Sequence, residues 1–277
     1  MSWTLLLIGS LLVAGPDSAL QARFAELMRH ARQEQLAARP LGEVMQALGL
    51  QLRGAPYAAG MLDAAPAETL LTPLDRFDCV LFVESVLALA QGVVLGDTTL
   101  SGFRHRVEQL RYRDGRMNGY CSRLHYFTDW IDDNARRGLV RDITRELGGR
   151  VMRRRIRFMS EHRTLYPRLA ADSTWQCVRR VEEALSARER FVLPRDQIRR
   201  VAERLQPGDI VAFVAREPTL DVVHVGLVYV SVDGRRGLLH ASPQGGVRVS
   251  PDLQTYVQNN PAQVGIVVAR PLDLRRR

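Results

Sequence analysis

Three side chains in this sequence are of types that, brought together, perform nucleophilic chemistry: Cys79, His224 and His240. Cys79, Phe82, Val83, Val86, Leu87 and Ala90 recur at i, i+3, i+4 spacing, which predicts an amphipathic helix starting at Asp78 with one buried face. Asp78 is suited to cap that helix. A helix amino terminus favours thiolate over thiol. A cysteine on an apolar stripe is by itself ordinary core filling, since a nucleophile also needs a base. His224 stands in the β-branched run Val222–Val230, and His240 in Gly237–Ala241, with a turn signal at Asp233-Gly234 between them. Two adjacent antiparallel strands would bring both imidazoles to one sheet face. The three residues are then a nucleophile, its base and a group that orients the base. The same trio also fits a Cys-His-His zinc site. No short-spaced ligand pair and no CxxC accompanies it, so no metal and no cofactor is expected.

The elements that must position these residues fall into two textures. Leu20, Phe24, Leu27, Met28 and Ala31 recur at helical spacing after Asp17, a candidate cap, and 54–60 is a turn-rich loop. Helical patterns follow at Phe103–Leu110, Leu124–Ala135, Trp175–Leu185 and Asp196–Leu205. After Pro207-Gly208-Asp209 come short β-branched runs separated by Gly, Asp and Pro: Ile210–Val214, Val222–Val230, Gly237–Ala241 and Val264–Ala269. Helices first and a mostly antiparallel sheet last argue for an α+β fold. We expect one domain over 21–277, with a helical insertion at about 95–205 packed on the same core.

The chain has 277 residues, 46% of them hydrophobic and 25% charged, which excludes collagen-like, coiled-coil and wholly disordered classes. Its net charge of +9 comes from arginine alone, as there is no lysine. Three cysteines exclude a disulfide-dense scaffold, and the pairing of Cys121 and Cys177 is not readable from spacing. Thr4–Ala14 is too short to span a bilayer comfortably, so no transmembrane span is expected. Residues 1–20 read instead as a candidate signal peptide, without the usual basic start; the bland alternative is a buried first helix. Arg123 and His125, on a helix start capped by Ser122, are candidates for meeting carboxylates, and Asp221 for meeting an ammonium group. Tyr120, Tyr126 and Trp130 are expected in the core.

Several ordered landmarks carry a resemblance. They are Gly54-x-Pro56-Tyr57-x-x-Gly60, Phe77-Asp78-Cys79-Val80-x-Phe82-Val83-Glu84, Pro207-Gly208-Asp209-Ile210-Val211, His224-Val225-Gly226, Leu239-His240-Ala241-Ser242, Gly246–Ser250 and Val267–Pro271. Over roughly residues 45–272 the chain resembles NlpC-type cell-wall cysteine peptidases. The stretch Gly119–Trp130 is similar to their N-acetylmuramoyl-L-alanine amidase-like branch. The resemblance implies a papain-like fold and hydrolysis of an amide in the peptide part of peptidoglycan or muropeptides; the apolar run at Thr4–Ala14 is the separate ground for expecting an exported, periplasmic or cell-envelope protein. The bond is N-acetylmuramoyl-L-alanine or γ-D-glutamyl-diamino acid. Cys79 becomes the nucleophile, His224 the base and His240 the orienting residue, all without metal. Tyr57 lies beside the oxyanion site, and Asp78 joins it among the substrate-facing residues. A non-catalytic wall-binding protein and an acyltransferase of the same group are the alternatives. The run 150–157, with five arginines, lacks any nucleic-acid recognition motif; a surface helix face or attraction to anionic wall polymers is expected of it.

Overall fold

The apolar run after Asp78 becomes the most deeply placed helix of the protein. A computed structural model describes residues 16–276. In chain order the elements are α1 (Pro16–Gln33), α2 (Leu41–Gln51), α3 (Cys79–Leu95), α4 (Leu100–Arg111), α5 (Phe127–Arg136), β1 (Val140–Asp142), β2 (Arg150–Met152), α6 (Phe158–Glu161), α7 (Asp172–Ser186), β3 (Arg190–Pro194), α8 (Ile198–Val201), β4 (Ile210–Ala215), β5 (Val222–Val230), β6 (Arg236–Ser242), β7 (Gly246–Ser250), α9 (Leu253–Gln258) and β8 (Gln263–Pro271). The candidate export signal falls largely outside the described residues, Thr4–Ala14 entirely so; Pro16–Leu20 open α1. Asp17 lies inside the first turn of α1 rather than capping it. Among the described residues no helix is long and apolar enough to cross a membrane.

The architecture is α+β, with helices packed on an antiparallel sheet of order β2-β3-β8-β4-β5-β6-β7, and β1 also paired with β8. One core gathers α1, α2, α3 and α4 over the face that carries Ala212, Val225, Leu227, Leu239 and Ala241. A second, with Leu253 and Val257 of α9 and Ile198 of α8, covers Val211, Phe213, Val228, Leu238 and Ile266. The alternation of these residues along β4, β5 and β6 is the period of two that a sheet covered on both faces requires. A third core joins Tyr120, Tyr126, Met159, Val178 and Leu185.

Two expectations change here. Helix α3 does not have one buried face: every residue from Leu81 to Val94 is buried, because α2, α4 and the sheet enclose it. A helix that is apolar on all sides is a buried one. The segment between α3 and β4 is not purely helical either, since it supplies β1, β2 and β3. The arginine-rich run 150–157 accordingly opens as strand β2, paired with β3, and continues as irregular chain rather than helix. Strands of three residues leave almost no periodic signal in a sequence.

Several landmarks are structural closures. Gly208 has φ +76°, and a Cβ there would lie 2.7 Å from the Gly42 Cα, so α2 crosses the chain at backbone contact. Asp209 is buried and takes two hydrogen bonds from Arg270, each 2.7 Å, locking β4 to β8. Cys121 and Cys177 form a disulfide that joins the turn before α5 to α7, with a Cα–Cα distance of 6.1 Å and a sequence separation of 56. In the chain-entropy view, closing a loop of that length contributes about 4 kcal/mol. The Cys121→Ser/Cys177→Ser protein is therefore expected to lose up to about 4 kcal/mol in urea unfolding. Non-reducing peptide mapping should recover the two cysteines as one cross-linked fragment.

Candidate active site

Cys79 is the first residue of α3, and its position is fixed from both sides. On one side the Asp78 Oδ1 accepts from the Leu81 N–H at 2.7 Å, capping the helix. On the other, the loop before it is stitched into the sheet. The Phe77 N–H donates to the Pro56 carbonyl (3.1 Å) and the Ala58 N–H to the Phe77 carbonyl (3.0 Å), so Tyr57 runs beside the segment that leads into Cys79. The same loop exchanges hydrogen bonds with Val247 of β7, and a Cβ on Gly246 would meet the Ala55 carbonyl oxygen at 2.1 Å. The Pro-Tyr loop, the Asp-Cys pair and the Gly246–Ser250 strand, far apart in sequence, are thus one junction.

His224 is set by β5. Between Phe213↔His224 and Val214↔Val222 the β4–β5 register skips Val223, a bulge directly before the histidine. Its Nε2 lies 2.7 Å from His240 Nδ1, and His240 Nε2 lies 3.1 Å from the Ser250 Oγ. If His224 Nδ1 is to stay a free base, Nε2–H donates to His240, and His240 in turn donates to Ser250. The contact exists because Gly226 has no side chain: a Cβ there would lie 2.9 Å from the His240 Cβ and 2.8 Å from a Leu238 methyl. Phe213 stacks on the His224 ring at 5.8 Å, and Tyr256 of α9 packs over His240 at 5.1 Å. Arg154 donates to the carbonyls of Ala215, Glu217 and Leu220, holding the β4–β5 turn that leads into the bulge.

Cys79 and His224 line one open groove with Asp63, Asp78, Arg111, Arg123, His125 and Asp221. They make no direct hydrogen bond to one another; the His224 Nε2 contact goes to His240. Burial, and then the Asp78 carboxylate, pushes the Cys79 thiol up to about 12, against the backbone N–H groups of Val225, Cys79 and Val80. Burial pushes His224 down to about 4. His240 falls to about 3 through burial, with the neighbouring His224 and Arg248 adding to it. The resting pair is thus thiol and neutral imidazole. The Tyr57 hydroxyl is pushed up to about 12 by burial and by the neighbouring Cys79 and Asp78.

The binding candidates are placed differently from expectation. Ser122 does not cap a helix; its Oγ closes a turn with Asn118 and Gly119, and α5 begins five residues later at Phe127. Asp221 caps α5 instead. Its Oδ2 accepts from the Thr128 N–H and hydroxyl, each at 2.9 Å, and its Oδ1 from the Val222 N–H at 2.7 Å. Both oxygens are engaged inside the protein, so Asp221 joins α5 to β5 where it lines the groove. Arg123 is buried and donates to Asp63 and to the Leu62 carbonyl, with Glu68 3.7 Å away. Its charge is met internally, so it is no open carboxylate receptor. His125 lines the groove with its Nε2 2.8 Å from the Tyr120 carbonyl oxygen. Tyr120, Tyr126 and Trp130 are buried as expected. Sequence reasoning gave no role to Ser250, Tyr256, or the buried pair Arg111 Nε–Glu84 (2.8 Å) in the groove wall. Ser250 stood within a quoted landmark; Tyr256 carried no signal.

Comparison with known proteins bears on this geometry. An N-acetylmuramoyl-L-alanine amidase-like family model matches residues 47–266. The structure of an N-acetylmuramoyl-L-alanine amidase from Bacteroides uniformis is 33% identical, covers 84% of this chain and 99% of its own, and superposes with a TM-score of 0.77. A Legionella pneumophila protein, 17% identical, covers 92% of this chain and 95% of its own at a TM-score of 0.67, a likeness of fold. No curated protein matches the chain significantly.

Two outcomes follow from the geometry. Gly226→Ala is expected to destabilise the protein by about 1–3 kcal/mol through overpacking against His240 and to lower activity with it, read by urea unfolding and turnover. Because burial keeps His224 neutral down to about 4, the acidic limb of the kcat/KM profile should lie well below the ordinary imidazole value of 6.5. Activity would be retained at pH 5.5 and lost as pH falls through the lower value. A limb near 6.5 would contradict the buried, neutral imidazole.

Proposed function

This chain belongs to the N-acetylmuramoyl-L-alanine amidase-like family, and on that footing we propose that it is a cysteine-dependent amidase of the papain-like, NlpC-type group. It cleaves the amide between the lactyl group of N-acetylmuramic acid and L-alanine. The observation that carries the reading is the His224–His240–Ser250 chain of contacts, aligned on the groove that also holds the helix-head cysteine. A binder of the same fold has no use for such an arrangement.

In this mechanism His224 Nδ1 takes the thiol proton as Cys79 Sγ attacks the lactyl carbonyl carbon. The developing oxyanion is met by the Cys79 backbone N–H at the head of α3, with Tyr57 beside it. The imidazolium then gives its proton to the L-alanine nitrogen as the C–N bond breaks. A lactyl thioester remains on Cys79. Water, deprotonated by His224, attacks the thioester and releases the lactyl carboxylic acid and the thiol. His240 holds the His224 ring and its tautomer throughout, and Ser250 holds His240. Of the two candidate bonds, the names of the family and of the Bacteroides uniformis relative favour the lactyl–L-alanine amide over the γ-D-glutamyl one.

We also propose that the protein is exported. The Cys121–Cys177 disulfide supports this, since such bonds persist in oxidising compartments. The apolar run at Thr4–Ala14 is consistent with it.

Defined muropeptides incubated with the protein should yield, by mass spectrometry, a free lactyl carboxyl and a peptide beginning with L-alanine. Cys79→Ala should reduce the rate by roughly 10³-fold or more, and His224→Ala nearly as much. His240→Ala should cost roughly tenfold to a hundredfold, because an orienting group is partly replaceable. Equal rates for wild type and Cys79→Ala would remove the nucleophile; γ-D-glutamyl products would move the scissile bond.

A further inference from the structure

The segment tethered by the disulfide places one more able side chain in the groove. His125 Nε2 lies 2.8 Å from the Tyr120 carbonyl oxygen. A carbonyl only accepts, so Nε2 carries the proton and Nδ1 is a bare lone pair. Nδ1 has no partner among the described residues, and it is not among the buried polar atoms cut off from solvent. The ring is held against Tyr120 at 4.3 Å, one residue from the disulfide. Burial, and then the Arg123 and Arg113 guanidiniums, push its pKa down to about 3, so the ring stays neutral.

The cations of the groove are already matched. Arg111 pairs with Glu84 and Arg123 with Asp63 and Glu68, and their nitrogens without a hydrogen bond, Arg111 Nη2 and Arg123 Nε, are sealed from solvent. What the groove presents to an entering molecule is therefore an acceptor, not a positive charge.

We propose that His125 forms a hydrogen-bond-accepting subsite that receives an uncharged N–H or O–H of the substrate, not a carboxylate. This rests on the amidase reading above, and it makes His125 a specificity residue for that reaction. A muropeptide carries such donors on both sides of the scissile bond, as sugar hydroxyls, the acetamido N–H and peptide N–H groups.

The test measures binding of muramyl dipeptide to the Cys79→Ala protein by calorimetry. His125→Gln can keep an Nε2–H on the Tyr120 carbonyl while removing the Nδ1 lone pair. His125→Asn sets an amide oxygen near the Nδ1 position and gives up the Tyr120 contact. The Gln variant should bind about tenfold more weakly and the Asn variant within about threefold of the parent. The parent dissociation constant should stay flat from pH 5.5 to 8, and the Nδ1 ¹⁵N signal should be that of an unprotonated nitrogen that moves upfield on binding. N-acetylmuramic acid and L-alanyl-D-isoglutamine, titrated separately, identify which half donates. Unchanged binding by the Gln variant, affinity that rises as pH falls through 6.5, or a protonated Nδ1 would overturn the subsite. Cys79-dependent cleavage would then still stand. No binding of muramyl dipeptide together with no cleavage of muropeptides would remove the amidase reading and the subsite with it.

Discussion

The contact on which this site turns is a hydrogen bond between two imidazoles, His224 Nε2 and His240 Nδ1, at 2.7 Å. Two neutral rings can share one proton only if each has a fixed tautomer, and each tautomer is set by what the other nitrogen meets. The Ser250 hydroxyl, able to accept from or donate to His240 Nε2, holds the His240 ring, and His240 holds His224. The sheet is arranged around that requirement. Gly226 leaves the space, the bulge at Val223 sets the entry of His224, and Phe213 and Tyr256 pack against the rings. A buried histidine without such partners would cost about 1–3 kcal/mol.

The Cys79 side has a different difficulty. An apolar helix enclosed on every side has at its head a carboxylate, Asp78, and in its second turn another, Glu84. Burial of each is tolerable only with hydrogen bonds to match. Asp78 spends one oxygen on the helix amino terminus, and Glu84 accepts from Arg111 Nε and from Trp130 Nε1 at 3.1 Å. Removing one partner of such a pair leaves a buried charge behind, a loss of about 3–5 kcal/mol. These ionic contacts wall the groove and tie α3, α4 and α5 together. They also explain why a protein with a net charge of +9 presents no spare cation among the described residues of its groove.

Legibility in the sequence followed the strength of local patterns. The helix from Asp78 was visible because its apolar positions recur, although its burial on all sides was not, since that depends on what α2 and α4 do around it. The strands β4, β5, β6 and β8 were visible as β-branched runs between Gly, Asp and Pro, whereas β7 stood only as a family landmark, and β1 and β2, of three residues each, had no room for a period. Arg123 and Asp221 were picked out by charge alone, and charge does not reveal whether a partner waits elsewhere in the chain. Asp63 and Thr128 turned out to be those partners. Tyr256 had no distinguishing neighbour in sequence, and its place over the histidines is a product of α9 folding across the sheet.

Residue types and spacing alone determined the α+β order of elements, the cap at Asp78, and the pairing of strands that sets His224 near His240. Each of these is a short-range property: a capping side chain, a repeat of apolar positions, a two-strand hairpin. Tertiary structure alone decided the disulfide, the internal partners of Arg123 and Asp221, the serine behind His240, and the open nitrogen of His125. The physical reason is that a polar group's role depends on which of its donors and acceptors remain unused, and the groups that use them, from 5 residues away for His125 to 93 for Asp221, are brought to it only by the fold.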